Sequence, residues 1–206
     1  MKADYCLKSK AVFTGESEKT IEGCVLVWRE RILDVVPFGK EAEYIGEYTK
    51  VIDYGGRLLM PGFIDAHTHF DMPCGGIMTS DDFESGTRAA VAGGTTTVID
   101  FSEPEQGASL QSGLDRWHEK ADGRSFTDYS FHMTVARYDE GIEEEILSMI
   151  RQGVTSFKAY TAYKGDLGVE DRDMYRLLSL MKKHGVLLMV HCENGDILDV
   201  RREELA

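Results

Sequence analysis

From Arg57 onward, five short runs rich in β-branched and apolar residues alternate with segments of helical period, and this alternation constrains the fold more than any other feature of the chain. The runs occupy 62–68, 95–101, 128–135, 155–160 and 186–191. Their starts lie roughly 30 residues apart, the size of one βα unit. Between them, 81–92 opens on an Asp81/Glu84 pair suited to capping a helix. Ile142, Ile146, Met149 and Ile150 form one apolar stripe, and Met174, Leu177, Leu178 and Met181 form another. Gly93-Gly94, Gly153 and Gly185 stand where a helix must stop before the next strand. Strands joined this way pair in parallel, in an open doubly wound sheet or a closed barrel.

The polar residues choose between these. His67, His69, Asp100, Lys158 and His191 all fall at or near the C-terminal ends of separate runs, where a (β/α)8 barrel collects its active site. Gly75-Gly76 does not make the glycine fingerprint of a dinucleotide-binding sheet. The expected fold is therefore α/β: a TIM-type (β/α)8 barrel over 58–206, with about five of its eight strands present where a whole barrel takes about 250 residues. Residues 1–57 differ in character. Short β-type runs at 5–7, 11–13, 23–28, 31–36 and 50–54, with one helical turn near 41–45, suggest the N-terminal part of a small β-sandwich-like domain.

The chain has 206 residues, with 36 acidic against 23 basic and a formal charge of -13, which disfavours nucleic acid as a partner. No run of about 18 apolar residues offers a membrane span. The start, Met1-Lys2-Ala3-Asp4-Tyr5-Cys6, lacks the apolar core of a secretory signal, so a cytoplasmic location with reduced thiols is expected. Cys6, Cys24, Cys74 and Cys192 form no Cys-x-x-Cys pair.

Side chains two apart on a strand share a face, so His67 and His69 point the same way with Thr68 turned aside. Such a pair is equally the start of a metal site or two surface histidines. In Ser156-Phe157-Lys158-Ala159-Tyr160, Phe157 and Ala159 face the helices and Lys158 faces the barrel interior. A buried ammonium is costly unless paired, and a neutral amine can capture carbon dioxide as a carbamate. The competing readings are a lysine that reaches a strand edge or pairs with Asp100. His191, closing Val186-Leu187-Leu188-Met189-Val190, is by itself more often a satisfied buried histidine than a ligand. His118, His132 and His184 are read as structural.

Taken together, the set resembles the amidohydrolase superfamily, and within it the dihydropyrimidinase and hydantoinase family of cyclic amidohydrolases. The segments that carry the resemblance are Val51-Ile52-Asp53, Met60-Pro61-Gly62-Phe63-Ile64-Asp65, His67-Thr68-His69-Phe70-Asp71-Met72-Pro73 and Gly93-Gly94-Thr95-Thr96. Ser156-Phe157-Lys158, Ala162-Tyr163-Lys164 and His191-Cys192-Glu193-Asn194-Gly195-Asp196 complete it. The resemblance implies two divalent metal ions, taken as zinc, with His67 and His69 on the more buried one. Lys158, carboxylated by carbon dioxide, would bridge to a second metal held by His191. It implies that Tyr163 hydrogen-bonds the tetrahedral oxyanion, that Cys74, Tyr160 and Leu167 line the substrate pocket, and that Asp71 is second-shell support or a plain loop carboxylate. The implied reaction opens a dihydropyrimidine or 5-substituted hydantoin to an N-carbamoyl amino acid by attack of a metal-bound hydroxide, in a homotetramer. An allantoinase-like enzyme or a non-catalytic scaffold relative are the alternatives, and retention of all four ligands argues against the scaffold. The family draws a further histidine from strand six and an aspartate from strand eight, so this chain reads as a truncated portion expected to be inactive alone.

Overall fold

The computed structural model describes every residue except Gly75 and the side chain of Cys74. The chain forms two compact units, Met1–Gly62 and Phe63–Ala206.

In the first unit, β1 (Tyr5–Val12), β2 (Ile21–Trp28), β3 (Arg31–Pro37) and β4 (Lys50–Asp53) make a sheet in the order β3-β2-β1-β4, and β5 (Leu58–Leu59) also pairs with β1. The runs expected at 5–7 and 11–13 are one strand. Lys8 and Ser9 continue the ladder opposite Cys24 and Gly23, and the Ser9 hydroxyl donates to the Arg57 carbonyl. β2 and β3 form a hairpin whose turn places Arg29 at φ 52, with the Asp4 carboxylate accepting the Arg29 N–H. Ala3, Cys6, Cys24, Leu26 and Val36 are the buried core of this unit. Burial pushes the Cys24 thiol up to about 12, so at neutral pH it packs as a small protonated apolar side chain. The turn expected near 41–45 is a 3-10 turn at Glu41–Glu43, held by the Glu41 carboxylate accepting from Lys8 Nζ at 2.9 Å.

The second unit alternates strand and helix: β6 (Phe63–Thr68), a small hairpin of β7 (Pro73–Cys74) and β8 (Ile77–Met78), α1 (Phe83–Ala92), β9 (Thr95–Ser102) and α2 (Leu110–Ala121). Then come β10 (Asp128–Thr134), α3 (Ile142–Arg151), β11 (Ser156–Lys164), α4 (Asp171–His184), β12 (Leu187–His191) and α5 (Gly195–Leu205). The five long strands pair in parallel in the order β12-β11-β10-β9-β6. Spatial order follows chain order with no reversal, which is an arc of a barrel wall; a doubly wound sheet would turn back at a switch point.

Local chemistry sets the helices. α1 begins at Asp82, whose carboxylate accepts the Ser85 N–H while the Ser85 hydroxyl reaches back to the Asp82 N–H. That reciprocal box sits one residue later than the Asp81/Glu84 pair expected, and Glu84 instead pairs with Arg88. α3 buries Ile142, Ile146 and Met149. α4 buries Met174, Leu177, Leu180 and Met181, with Leu178 turned out to solvent, so the stripe runs through Leu180. Phe157 and Ala159 join these residues in one core with Trp117, and Lys158 alternates to the other face of β11. At the two edges of the arc, Phe63, Ile64 and Leu187 are more than half exposed, at 54%, 65% and 58%. No helix among the described residues is long and apolar enough to cross a membrane.

Gly86 is buried in α1, and a Cβ there would run into the Phe70 ring, itself packed edge-on against Phe83 with centroids 5.4 Å apart. Gly86→Ala gains about 1 kcal/mol of helix propensity but forces Phe70 to shift, at a cost of about 1–3 kcal/mol. A net loss of stability in thermal unfolding is expected; a stabilised variant would show that Phe70 moves freely.

Candidate active site

Thr68 and Phe70 flank His69, and both are tied to one buried carboxylate. Asp100, on β9 and fully buried, accepts from the Thr68 hydroxyl at 2.8 Å, the Phe70 N–H at 2.9 Å, the Trp117 indole N–H at 2.9 Å and its neighbour's Phe101 N–H at 2.9 Å. Burial pushes the Asp100 carboxyl up, and the donors from Phe70, Trp117 and Thr68 work against that shift. Its hydrogen bonds therefore hold the end of β6 in place, and the pairing with Lys158 entertained above is not what occupies it. A second strut is His132, whose Nε2–H donates to the Ala66 carbonyl at 2.9 Å while Nδ1 meets the Ser156 hydroxyl at 2.5 Å. Burial holds His132 below the usual histidine range, consistent with a neutral ring bonded at both nitrogens. Its structural reading stands.

On this support His67 and His69 lie 5.2 Å apart, centroid to centroid, and both pack on Phe101, at 4.6 and 4.9 Å. Burial, the largest influence, lowers the His69 pKa, with His67 and Lys158 adding to the effect and Asp100 opposing it. The ring is therefore neutral at pH 7, and its Nδ1 is buried with no hydrogen-bond partner. An orphaned imidazole lone pair is what a cation would satisfy. Lys158 is 8% exposed, with Nζ 5.5 Å from the Phe101 ring centre and 5.2 Å from that of Tyr160. Tyr160 lies directly opposite His191 in the β11–β12 ladder, ring centres 5.5 Å apart. His191 Nε2 contacts the Glu193 carboxylate at 2.6 Å. Thr161 Oγ1 lies 2.9 Å from the His191 carbonyl and 2.7 Å from that of Glu193, fixing the turn that follows.

His67 and His69 thus stand at the C-terminal end of β6 and His191 at that of β12, while Lys158 is the third residue of β11, which runs on to Lys164 past the end expected near 160; Phe101 and Tyr160 link the four. Among the described residues no group of three or more His, Cys, Asp or Glu forms a ready-made cation site. Tyr163 closes the cluster, its ring 5.8 Å from His191 and 6.0 Å from Tyr160. Its φ of 57 is left-handed, a conformation a bulky residue adopts only when its surroundings enforce it. Gly168 supplies the constraint: it bridges Tyr160 and Lys164, and a Cβ there would strike the Ala162 carbonyl.

Asp71 is also left-handed, at φ 50, but it is tied through its backbone, with its carbonyl accepting from Lys120 Nζ at 2.6 Å and its N–H donating to the Asp81 carbonyl at 2.8 Å. Leu167 lines a cavity beside the cluster. The Cys74 side chain lies outside what is described. Sequence reasoning missed Glu103, whose carboxylate accepts from the Tyr160 hydroxyl at 3.1 Å. Nothing in Glu103-Pro104 flagged it.

Residues 58–204 match the model of the amidohydrolase family. The chain belongs to that family. It is 47% identical over 151 residues to the D-hydantoinase of Geobacillus stearothermophilus, covering 73% of this chain and 32% of that protein. It is 43% identical over 153 residues to the dihydropyrimidinase of Dictyostelium discoideum, covering 74% and 30%. The crystal structure of dihydropyrimidinase from Brevibacillus agri NCHU1002 superposes with a TM-score of 0.89 at 38% identity, over 99% of this chain and 42% of that one. The chain therefore spans less than half the length of these amidohydrolase relatives, and its parallel arc is part of a (β/α) barrel.

Asp100→Ala would remove the acceptor of the Thr68 hydroxyl and the Phe70 and Trp117 N–H groups at a fully buried position. At about 1–3 kcal/mol for each unsatisfied group, urea unfolding followed through tryptophan fluorescence should show a loss of about 3 kcal/mol or more. A loss under about 1 kcal/mol would mean that these bonds are not what holds β6.

Proposed function

We propose that this chain contributes the His67, His69, Lys158, His191 and Tyr163 portion of an active site that hydrolyses a cyclic amide, a dihydropyrimidine or a 5-substituted hydantoin, to an N-carbamoyl amino acid. The observation that carries the reading is the buried, unpartnered Nδ1 of His69 beside His67, with Lys158 and His191 linked to them through Phe101 and Tyr160. The names of the relatives give the substrate class, and the activity is proposed for the complete barrel.

Two divalent cations, zinc in this reading, would be held by these residues and would supply Lewis acidity toward water and the ring carbonyl. His69 is suited to them because burial keeps it deprotonated. Lys158, reacting through its neutral amine with carbon dioxide and releasing one proton, would become a carbamate, whose single negative charge shared over two oxygens would make it an anionic ligand for the cations. Its burial excludes the water that would otherwise solvate a free ammonium. Tyr163 donates its hydroxyl hydrogen bond to the oxygen that gains negative charge as the ring carbonyl becomes tetrahedral. Because its backbone is already locked at φ 57, little reorganisation accompanies that step. Tyr160 packs its ring beside both Lys158 and His191. The same family resemblance supports a homotetramer working in the cytoplasm.

Two outcomes test this. In the active, metal-loaded enzyme grown with 13C-bicarbonate, a carbamate carbon resonance is expected that Lys158→Ala removes together with activity, and added short-chain carboxylic acids should restore part of that activity. An active enzyme with an unmodified lysine would overturn the assignment. Tyr163→Phe should lower kcat about 10²–10³-fold with a smaller change in KM, and an unchanged kcat would remove Tyr163 from the oxyanion.

A further inference from the structure

Beside the cluster, between the loops that follow β9, β10 and β11, lies a cavity of about 540 Å³, within the range of small-molecule sites. Pro104, Leu110, Trp117 and Leu167 give it apolar walls, and Glu103 brings a polar group. It shares a partition with the proposed metal residues. Thr134 stands directly opposite Lys158 in the β10–β11 ladder, and the Tyr160 hydroxyl reaches Glu103 on the cavity wall while its ring faces Lys158 and His191.

The charges around this cavity are unevenly satisfied. Arg116 pairs with Glu105 at 2.9 Å, and Arg137 pairs with Asp139 at 2.5 Å and Glu145 at 2.6 Å, while Lys120, whose charge also acts on Glu103, donates to the Asp71 carbonyl. Among the described residues, the one hydrogen bond recorded for the Glu103 carboxylate is that from Tyr160, and Asp166 adds a further carboxylate to the lining. Thr134 also lines the cavity, but its Oγ1 is fully buried and presents no accessible group to an occupant. A carboxylate with spare acceptor capacity in a mainly apolar cavity calls for a ligand that brings donors. A purely hydrocarbon occupant would leave that capacity unused.

We propose that this cavity receives the ring substituent of the substrate and selects a substituent ending in a hydrogen-bond donor, an alkylammonium foremost, through Glu103. The inference rests on the cyclic-amide reading and gives it a substrate class: a hydantoin or dihydropyrimidine carrying a short chain with a terminal amine. Glu103 acts here as a specificity residue that contacts the substituent and takes no part in bond breaking.

The test compares 5-(3-aminopropyl)hydantoin with 5-butylhydantoin, matched in heavy atoms, by calorimetric binding to the metal-free protein. The amine is expected to bind at least about fivefold more tightly, since a site with buried polar groups discriminates against an isostere that leaves them unpaired. Glu103→Leu should abolish or invert that preference by weakening the amine alone. Glu103→Gln, which keeps the shape and the acceptor for Tyr160, should reduce it, and this variant decides the matter if the leucine does not fold. Equal affinities, a preference for the butyl compound, no detectable binding of either, or an equal loss for both compounds in the variants would overturn the proposal. Ring opening of unsubstituted hydantoin by the metal-loaded wild-type enzyme reports separately on the cyclic-amide reading, because that substrate places nothing in the cavity.

Discussion

One buried carboxylate sets the geometry on which the candidate site depends. Asp100 sits in the second strand of the arc, and its acceptor capacity is taken up by groups on three separate stretches of chain: Thr68 and Phe70 around His69, Trp117 on α2, and its own neighbour Phe101. The Asp100 bonds and the His132 bridge to Ala66 tie the C-terminal half of β6 to β9, α2 and β10, beyond the ladder that β6 makes with β9. Both groups are buried, and an unpaired buried polar group is costly, so the arrangement has few alternatives.

β11 shows how one strand serves packing and chemistry together. Period-2 alternation sends Phe157 and Ala159 into the core against the helices and Lys158 to the opposite face, where it meets Phe101 and Tyr160. At its end the chain turns left-handed at Tyr163, and Gly168 packs against the Ala162 carbonyl where no other residue fits. That loop sets the tyrosine beside His191 and also forms one wall of the neighbouring cavity. Positioning of the hydroxyl and definition of the substituent pocket therefore share a structural cause.

Much of this was legible in the residues alone. The spacing of the βα units and the glycine stops marked the parallel arc, and strand alternation placed His67 with His69 and Lys158 away from the core. The small unit was less legible because Ser9 interrupts the apolar pattern of β1 while keeping its ladder, its hydroxyl satisfied by Arg57. The helix start at Asp82 and the burial of Leu180 in place of Leu178 are matters of one or two residues, decided by capping and packing that a periodicity cannot resolve. The support of the site escaped for a different reason. Asp100 was visible as a polar residue at a strand end, but its partners are remote in sequence, and the roles of Glu103 and Trp117 exist only once β9, β10, β11 and α2 are side by side.

The central claim is that His67, His69 and His191, and not the other three histidines, hold the two proposed divalent cations. Imidazole nitrogen resonances followed during zinc titration of the protein test it most directly. The account predicts large shifts at ring nitrogens of His67, His69 and His191 with those of His118, His132 and His184 unmoved; shifts at the latter set, or none at His67 and His69, would contradict it.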